Sequence, residues 1–236
     1  ATPAATPLGS PEPPVAERRP ETRVFSGAEI EDPYAWLEDP TDPDVIAYLE
    51  AENAYREAIM APTVGLQETL YTEMVGRIKE TDSSVPAPLD GYFYYTRIEE
   101  GQQYEILCRK KGSLDAPEEV LLDLNEMVGE SGYIALGFYV VSPDQRYLAY
   151  SINEDGGIEY TMSIKDLDTG EVLPEQFPNT DTMVWAADNQ TIFYTRQDET
   201  LRSAELYRHV LGEDPADDPL LFAEDDETFY LYVSRS

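Results

Sequence analysis

Three stretches of the chain run through the same order: a turn rich in Asp, Gly or Asn, an aromatic strand, a polar loop, a second strand and a short closing strand. In the first, Asp90-Gly91 leads into residues 92–97, then 104–110, then Val120-Leu121-Leu122. In the second, residues 138–141 precede Ser142-Pro143-Asp144-Gln145, followed by 147–151, 162–165, the turn Asp168-Thr169-Gly170 and Val172-Leu173. The third runs Met183-Val184-Trp185, Ala187-Asp188-Asn189-Gln190, residues 192–196, residues 205–210 and Leu220-Leu221-Phe222. Aligning Tyr95, Tyr150 and Tyr194 sets a period on the order of fifty residues, the size of a four-stranded antiparallel β-propeller blade. A blade buries its faces only against neighbouring blades, and a closed ring takes roughly four or more. Three therefore make an unfinished ring. Residues 229–233, Phe-Tyr-Leu-Tyr-Val, read as the first strand of a fourth blade. A β-sandwich would alternate in the same way, but the repeated turn-then-aromatic-strand order favours the propeller. The expected fold is mainly β: an incomplete propeller of about three four-stranded blades plus the first strand of a fourth.

Upstream of the repeats the composition changes. Pro3, Pro7, Pro11, Pro13, Pro14 and Pro20 crowd the beginning, and residues 1–31 read as a flexible Pro-rich tail. Asp32-Pro33-Tyr34-Ala35-Trp36-Leu37-Glu38-Asp39-Pro40 reads as an irregular arm whose aromatics anchor it on another surface. Thr41, Asp42, Pro43 and Asp44 make a helix start. Val45, Tyr48, Leu49, Tyr55 and Ile59 then recur near helical spacing until Pro62. Leu66, Leu70, Met74 and Ile78 predict a second amphipathic helix that stops before Thr81. Arm and helices occupy 32–84, and the blades 85–236.

The 236 residues include 16 Lys+Arg against 48 Asp+Glu, a formal net charge of -32, which argues against nucleic acid or an anionic membrane as a partner. The apolar share of 42% is enough for a core, and no apolar run reaches the length of a membrane span. Cys108 is the single cysteine, so no internal disulfide forms, and its alternating surroundings make it a strand residue without a chemical role. This fits a reducing compartment such as the cytoplasm. The sequence begins at Ala1 without Met, so the periplasm or secretion stays open.

A hydrolytic serine or cysteine needs a base beside it, and the single histidine, His209, sits mid-strand with no Gly-x-Ser-x-Gly elbow anywhere in the chain. It reads as structural. Glu224-Asp225-Asp226-Glu227 lacks the spacing of a calcium loop, and no phosphate-binding glycine motif occurs. The sequence thus predicts no catalytic, cofactor-binding or metal-ligating residue, and no cofactor.

Asp32-Pro33-Tyr34-Ala35-Trp36-Leu37-Glu38-Asp39, Tyr48-Leu49-Glu50-Ala51-Glu52-Asn53, Ser142-Pro143-Asp144 and Tyr207-Arg208-His209 together resemble the N-terminal part of prolyl-oligopeptidase-family serine peptidases, from about Asp32 to Ser236. Gly76-Arg77-Ile78-Lys79-Glu80, Gly91-Tyr92-Phe93-Tyr94-Tyr95 and Asp226-Glu227-Thr228-Phe229 are closer to the oligopeptidase B subtype. The resemblance implies an enzyme whose Ser-Asp-His triad lies in a C-terminal α/β-hydrolase domain. A propeller covers that domain and admits short peptides, which the subtype cuts after Arg or Lys. The implied partners are short peptide substrates and that hydrolase domain, on which the helices of 32–84 would pack. No triad residue has a counterpart in this chain. The competing reading is a non-catalytic propeller that binds peptides or proteins.

Overall fold

Each blade sequence folds as its own antiparallel sheet in the computed structural model, which describes residues 11–235. The chain divides into two units, Ala1–Lys79 and Glu80–Ser236.

In the first unit a two-residue turn, Ser26-Gly27, has positive φ at both positions (50° and 83°), the backbone that joins strands tightly. It connects β1 (Glu21–Phe25) to β2 (Ala28–Asp32) with Val24 opposite Glu29. This hairpin occupies part of the stretch read as a flexible tail; residues 1–10 of that tail lie outside the described residues. The tail reading followed the prolines, whereas the alternation in 21–32 is short and the turn lacks the familiar Asn-Gly pair. Trp36 anchors the arm within its own unit: its Nε1 donates to the Glu17 carbonyl at 3.0 Å, the Arg19 guanidinium lies 4.3 Å from its ring centroid, and Tyr48 meets it edge-on. Asp42 caps α1 (Pro43–Met60) by accepting from the Asp44 amide at 2.8 Å, with Pro43 in the first turn. The second helix, α2 (Val64–Val75), ends earlier than Ile78 because Gly76 takes the capping position. Val45 is buried, while Leu66, Leu70 and Met74 along α2 are exposed.

The second unit holds three sheets. The first blade comprises β3 (Asp82–Ser83) and β4 (Ala87–Leu89), both paired to β5 (Tyr92–Ile98), followed by β6 (Ile106–Lys111) and β7 (Glu118–Asp123). The innermost strand is thus in two short pieces around Pro86, a residue with no N–H to give to a ladder. The prolines here marked only a boundary in the sequence, and these two pieces were not foreseen. A four-residue helix, α3 (Leu124–Met127), leads to the second blade, β8 (Ala135–Val141), β9 (Tyr147–Asn153), β10 (Thr161–Asp166) and β11 (Val172–Pro178). The third is β12 (Thr180–Trp185), β13 (Thr191–Gln197), β14 (Ser203–Val210) and β15 (Leu220–Ala223). Neighbours in sequence are neighbours in each sheet, and the inner strands β8 and β12 lie beside each other.

The middle blade explains why its strands are apolar on successive residues. Side chains alternate across a strand. Leu148 and Tyr150 on one face of β9 join Tyr94, Leu107, Leu121 and Leu122 of the first blade. Ala149, Met162, Ile164 and Phe177 on the other face join Met183, Trp185, Ile192 and Tyr194 of the third. Polar ties reinforce both seams. Between the first two blades, Arg109, held within its own blade by a two-pronged bond to Glu119 at 2.7 and 2.8 Å, donates to the Gln145 carbonyl at 3.1 Å. Lys165 donates to the Leu121 carbonyl at 2.9 Å. Between the second and third, Trp185 Nε1 donates to the Val140 carbonyl at 3.1 Å, and the Gly212 amide to Glu175 Oε1 at 2.7 Å.

The turns repeat as well. Gln145 and Asn189 occupy the same place in the second and third blades, both with positive φ (70° and 61°), and Asn189 Oδ1 accepts from the Asp144 amide at 2.9 Å, linking one turn to the next. Residues 229–233, expected as the first strand of a fourth blade, enter no ladder. The Leu231 amide donates to the Ser203 carbonyl at 2.8 Å and the Val233 amide to Thr182 Oγ1, so the segment runs beside the third blade. A strand of that kind pairs with the next strand of its own blade, and none of the described residues supplies it.

Asp198 organises the link between β13 and β14. It accepts from the Thr200 amide and hydroxyl and from the Arg202 amide and Nε. Arg202 in turn reaches the carbonyls of Glu224, Asp226 and Phe229, each at 3.0 Å. The Thr200 hydroxyl, first, and then the Arg202 and Thr200 groups hold the Asp198 carboxyl down to about 2 from an ordinary 3.8. Stability from this depressed value is fully present above 3.8 and is lost as pH falls through about 2. Amides of residues 198–204 should therefore exchange faster as pH drops through that window, after correction for intrinsic rates, and Asp198→Asn should flatten the dependence. Trp185→Phe removes the bond to Val140, a loss of about 1 kcal/mol, so hydrogen exchange in β8 and β12 should accelerate by roughly fivefold while β5 and β6 stay unchanged.

Candidate functional site

The up-and-down order of strands sorts the connections of every blade into two ends. One end gathers the links from second to third strand, residues 99–105, 154–160 and 198–202, with the passages from one sheet to the next, 124–134, Asn179 and the stretch after Ala223. Unit two also begins there, since Asp82 pairs with Ile98. This end carries Glu99, Glu100, Glu105, Glu126, Glu130, Glu154, Asp155, Glu159, Asp181 and Glu199. Arg97 and Arg202 at this end are engaged by Glu99 and Glu118 and by Asp198. Lys110, Lys111, Arg146 and Arg208 lie toward the opposite end. Acids such as Asp90, Asp115, Asp144, Asp168, Asp188, Glu213 and Asp214 lie at that end too, but with these cations beside them, so the end with the longer links is the more acidic of two negative ends.

Cavities of about 430, 330 and 330 Å³ open at the acidic end. The largest lies on the face of the middle blade that looks toward the first, where Ile152, Thr161, Ser163, Gln176 and Pro178 come together from β9, β10 and β11. Its rim is the link Glu154 to Glu159. Asn153, buried at its base, fixes that link: Oδ1 accepts from the Gly156 amide at 2.8 Å, and Nδ2 donates to Asp155 Oδ1 at 2.7 Å and to the Glu159 carbonyl at 2.8 Å. Gly156 adopts φ 78°, which a glycine takes without strain. The Gly157 amide, followed by Asn153, holds the Asp155 carboxyl below the usual range, so it is ionised at neutral pH. A second cavity combines Thr96, Tyr104, Leu107, Leu122 and Leu136 in the seam of the first two blades. The third lies between the middle and last blades, with Phe138, Tyr160 and Asp181.

Neither reactive side chain type weighed in the sequence is placed for chemistry. Cys108 is fully buried between Tyr95 and Ile106, and burial pushes its thiol up to about 11, away from nucleophilic use. His209 is fully buried in the seam against Phe177, with Nδ1 2.8 Å from Asp218 Oδ1. Asp218 Oδ2 also accepts from Tyr194 at 2.9 Å, and burial together with this carboxylate raises the Tyr194 phenol. The pairing of His209 with an aspartate looks like half of a hydrolytic triad, but no hydroxyl or thiol among the described residues bonds to His209 Nε2. The pair cross-links its blade. No group of acidic, histidine or cysteine side chains suited to a metal occurs among the described residues, the stretch Glu224 to Glu227 included. Asn153 and Asp218 were not singled out from the sequence; the run Asn-Glu-Asp-Gly-Gly at 153–157 is the signal that could have drawn attention to the first.

A family model described as "Prolyl oligopeptidase, N-terminal beta-propeller domain" matches residues 13–236. Protease 2 of Moraxella lacunata is 41% identical over 231 residues, which cover 94% of this chain and 34% of that protein. Dipeptidyl aminopeptidase BI of Pseudoxanthomonas mexicana is 40% identical over 95% of this chain and 34% of its own length. Oligopeptidase B from Leishmania major superposes with a TM-score of 0.87 at 28% identity, over 95% of this chain and 34% of that one. The chain spans about a third of the length of these relatives. With the three two-faced blades on the one hand and these matches on the other, the chain belongs to the prolyl oligopeptidase family, residues 13–236 falling in its N-terminal β-propeller domain.

Proposed function

We propose that this chain is the gating portion of a serine endopeptidase of the oligopeptidase B type, which cuts short peptides after Arg or Lys. The nucleophile comes from an α/β-hydrolase domain outside these residues. The observation that carries this reading is the match of nearly the whole chain to about a third of both Protease 2 and oligopeptidase B. The blades restrict access by size: a ring of packed sheets passes an unfolded short peptide and excludes a folded protein, while keeping bulk water from the reaction. Its acidic end favours the approach of peptides that carry Arg or Lys. The exposed Leu66, Leu70 and Met74 of α2 supply an apolar stripe for docking on the hydrolase domain.

A second reading rests on the 40% identity to dipeptidyl aminopeptidase BI, whose name describes removal of dipeptides from a free amino terminus. The same acidic end suits that substrate, since an α-ammonium is a cation too. Blocked and unblocked reporters separate the two. The full-length protein should release the reporter group from an N-acylated Arg substrate, and a fluorophosphonate should label one serine beyond residue 236. The 236-residue chain alone should do neither. Cleavage only when a free amino group lies two residues before the reporter would favour the second reading. Absence of any labelled serine would instead leave a propeller that binds without catalysis.

A further inference from the structure

We propose that the seam between the middle and third blades binds one water molecule between Glu175 Oε2 and His209 Nε2, as a fixed part of the polar link across it. Among the described residues, three buried side-chain atoms have no hydrogen-bond partner, and these are two of them. The third, Arg196 Nε, belongs to a half-buried side chain whose guanidinium lies 4.9 Å from the Tyr207 ring centroid. Glu175 and His209 are more deeply enclosed, at 6% and 0% exposure. A polar atom shut away unpaired costs more than a typical hydrogen bond contributes, so such atoms are nearly always paired with protein or with ordered water.

The two atoms belong to one place in the seam. Glu175 and Phe177 share the face of β11 that looks toward the third blade. The Phe177 ring meets the His209 ring edge-on, with centroids 4.8 Å apart. Glu175 Oε1 takes the Gly212 amide at 2.7 Å, just beyond His209 in the chain. The Glu175 carboxylate therefore stands one side-chain step along the strand from the imidazole, about 7 Å between backbone positions. At that spacing the two atoms do not bond to each other.

The hydrogen bonds already made select the ligand. His209 Nδ1 lies 2.8 Å from Asp218 Oδ1, and Asp218 Oδ2 accepts from the Tyr194 hydroxyl at 2.9 Å. A carboxylate that accepts at both oxygens puts the proton of the histidine contact on Nδ1, and Nε2 of that tautomer is a lone pair. Glu175 Oε2 is an acceptor as well. Two acceptors cannot satisfy one another, whereas water brings two donors, one for each. An ammonium ion brings four and finds no match for the other two in the atoms left unpaired there. A metal ion lacks a suitable group of side chains among the described residues. The link then runs from the Tyr194 hydroxyl through Asp218, His209 and the water to Glu175 and the Gly212 amide. It joins β13 and β14 of one blade to β11 of the other, and connected bonds in a dry seam reinforce each other.

The test is a crystal structure of the full-length protein at a resolution that places ordered waters, for the wild type and for Glu175→Gln and Glu175→Leu. The wild type should show one water peak within hydrogen-bond distance of both Glu175 Oε2 and His209 Nε2. Glu175→Gln should retain it, because the side-chain oxygen still accepts from the Gly212 amide and the side-chain N–H donates to a water that donates to Nε2. Glu175→Leu should lose it. A wild-type seam with no peak there, a direct bond between the two atoms, or a peak that gains electron density when crystals are soaked in a rubidium salt overturns the proposal. So does a peak that persists in Glu175→Leu, for it would mean that no bridge is made. Should neither variant fold, the wild-type density decides alone.

Discussion

Everything in the second unit depends on a blade having two apolar faces. In β9 the successive residues Leu148, Ala149 and Tyr150 are all buried, because odd and even positions look toward different neighbours. A sheet with one wet face could not keep such a run out of water. The seams then need polar precision where strands end and backbone groups would be stranded. Arg109, Lys165, Trp185 and Glu175 each reach across to a main-chain atom of the adjacent blade. Hydrophobic area drives the blades together, while these bonds fix how they rotate about one another.

The outer faces show the same rule from the other side. Leu220 and Phe222 of β15 stand exposed, and so do Phe229, Tyr230 and Tyr232 beyond it. Large apolar surface of this kind marks a place where more protein sits. Arg202 holds the chain after β15 against the third blade through three carbonyls, so the course of residues 224–229 along that blade is fixed. The match of residues 13–236 to the family's propeller domain agrees with this picture, as does the third of the length that the chain covers in its relatives.

Much of the fold was legible in the sequence because blades repeat. The Asp90-Gly91 and Ser142-Pro143-Asp144-Gln145 turns and the aromatic strands after them lie where the period put them, and the first helix begins at its capping residue. What escaped was short or came from distant partners. The hairpin of Glu21 to Asp32 hid behind prolines, and the split inner strand of the first blade was too brief to alternate. The acidic end was not legible at all. Its carboxylates come from links some fifty residues apart in the chain and meet only because antiparallel order sends those links to the same end. Asn153 likewise gains meaning from burial, which a polar residue in a strand does not announce.

Strand-resolved hydrogen exchange tests the dependence on two covered faces most directly, since β5, β6, β9, β10, β13 and β14 are all interior to their sheets and differ mainly in how many of their faces have neighbours. In the 236-residue chain, amides of β9 and β10 should exchange slowest, with β5, β6, β13 and β14 distinctly faster. Equal protection in all six strands would contradict the account, for it would mean that each blade is stable without a neighbour on either side.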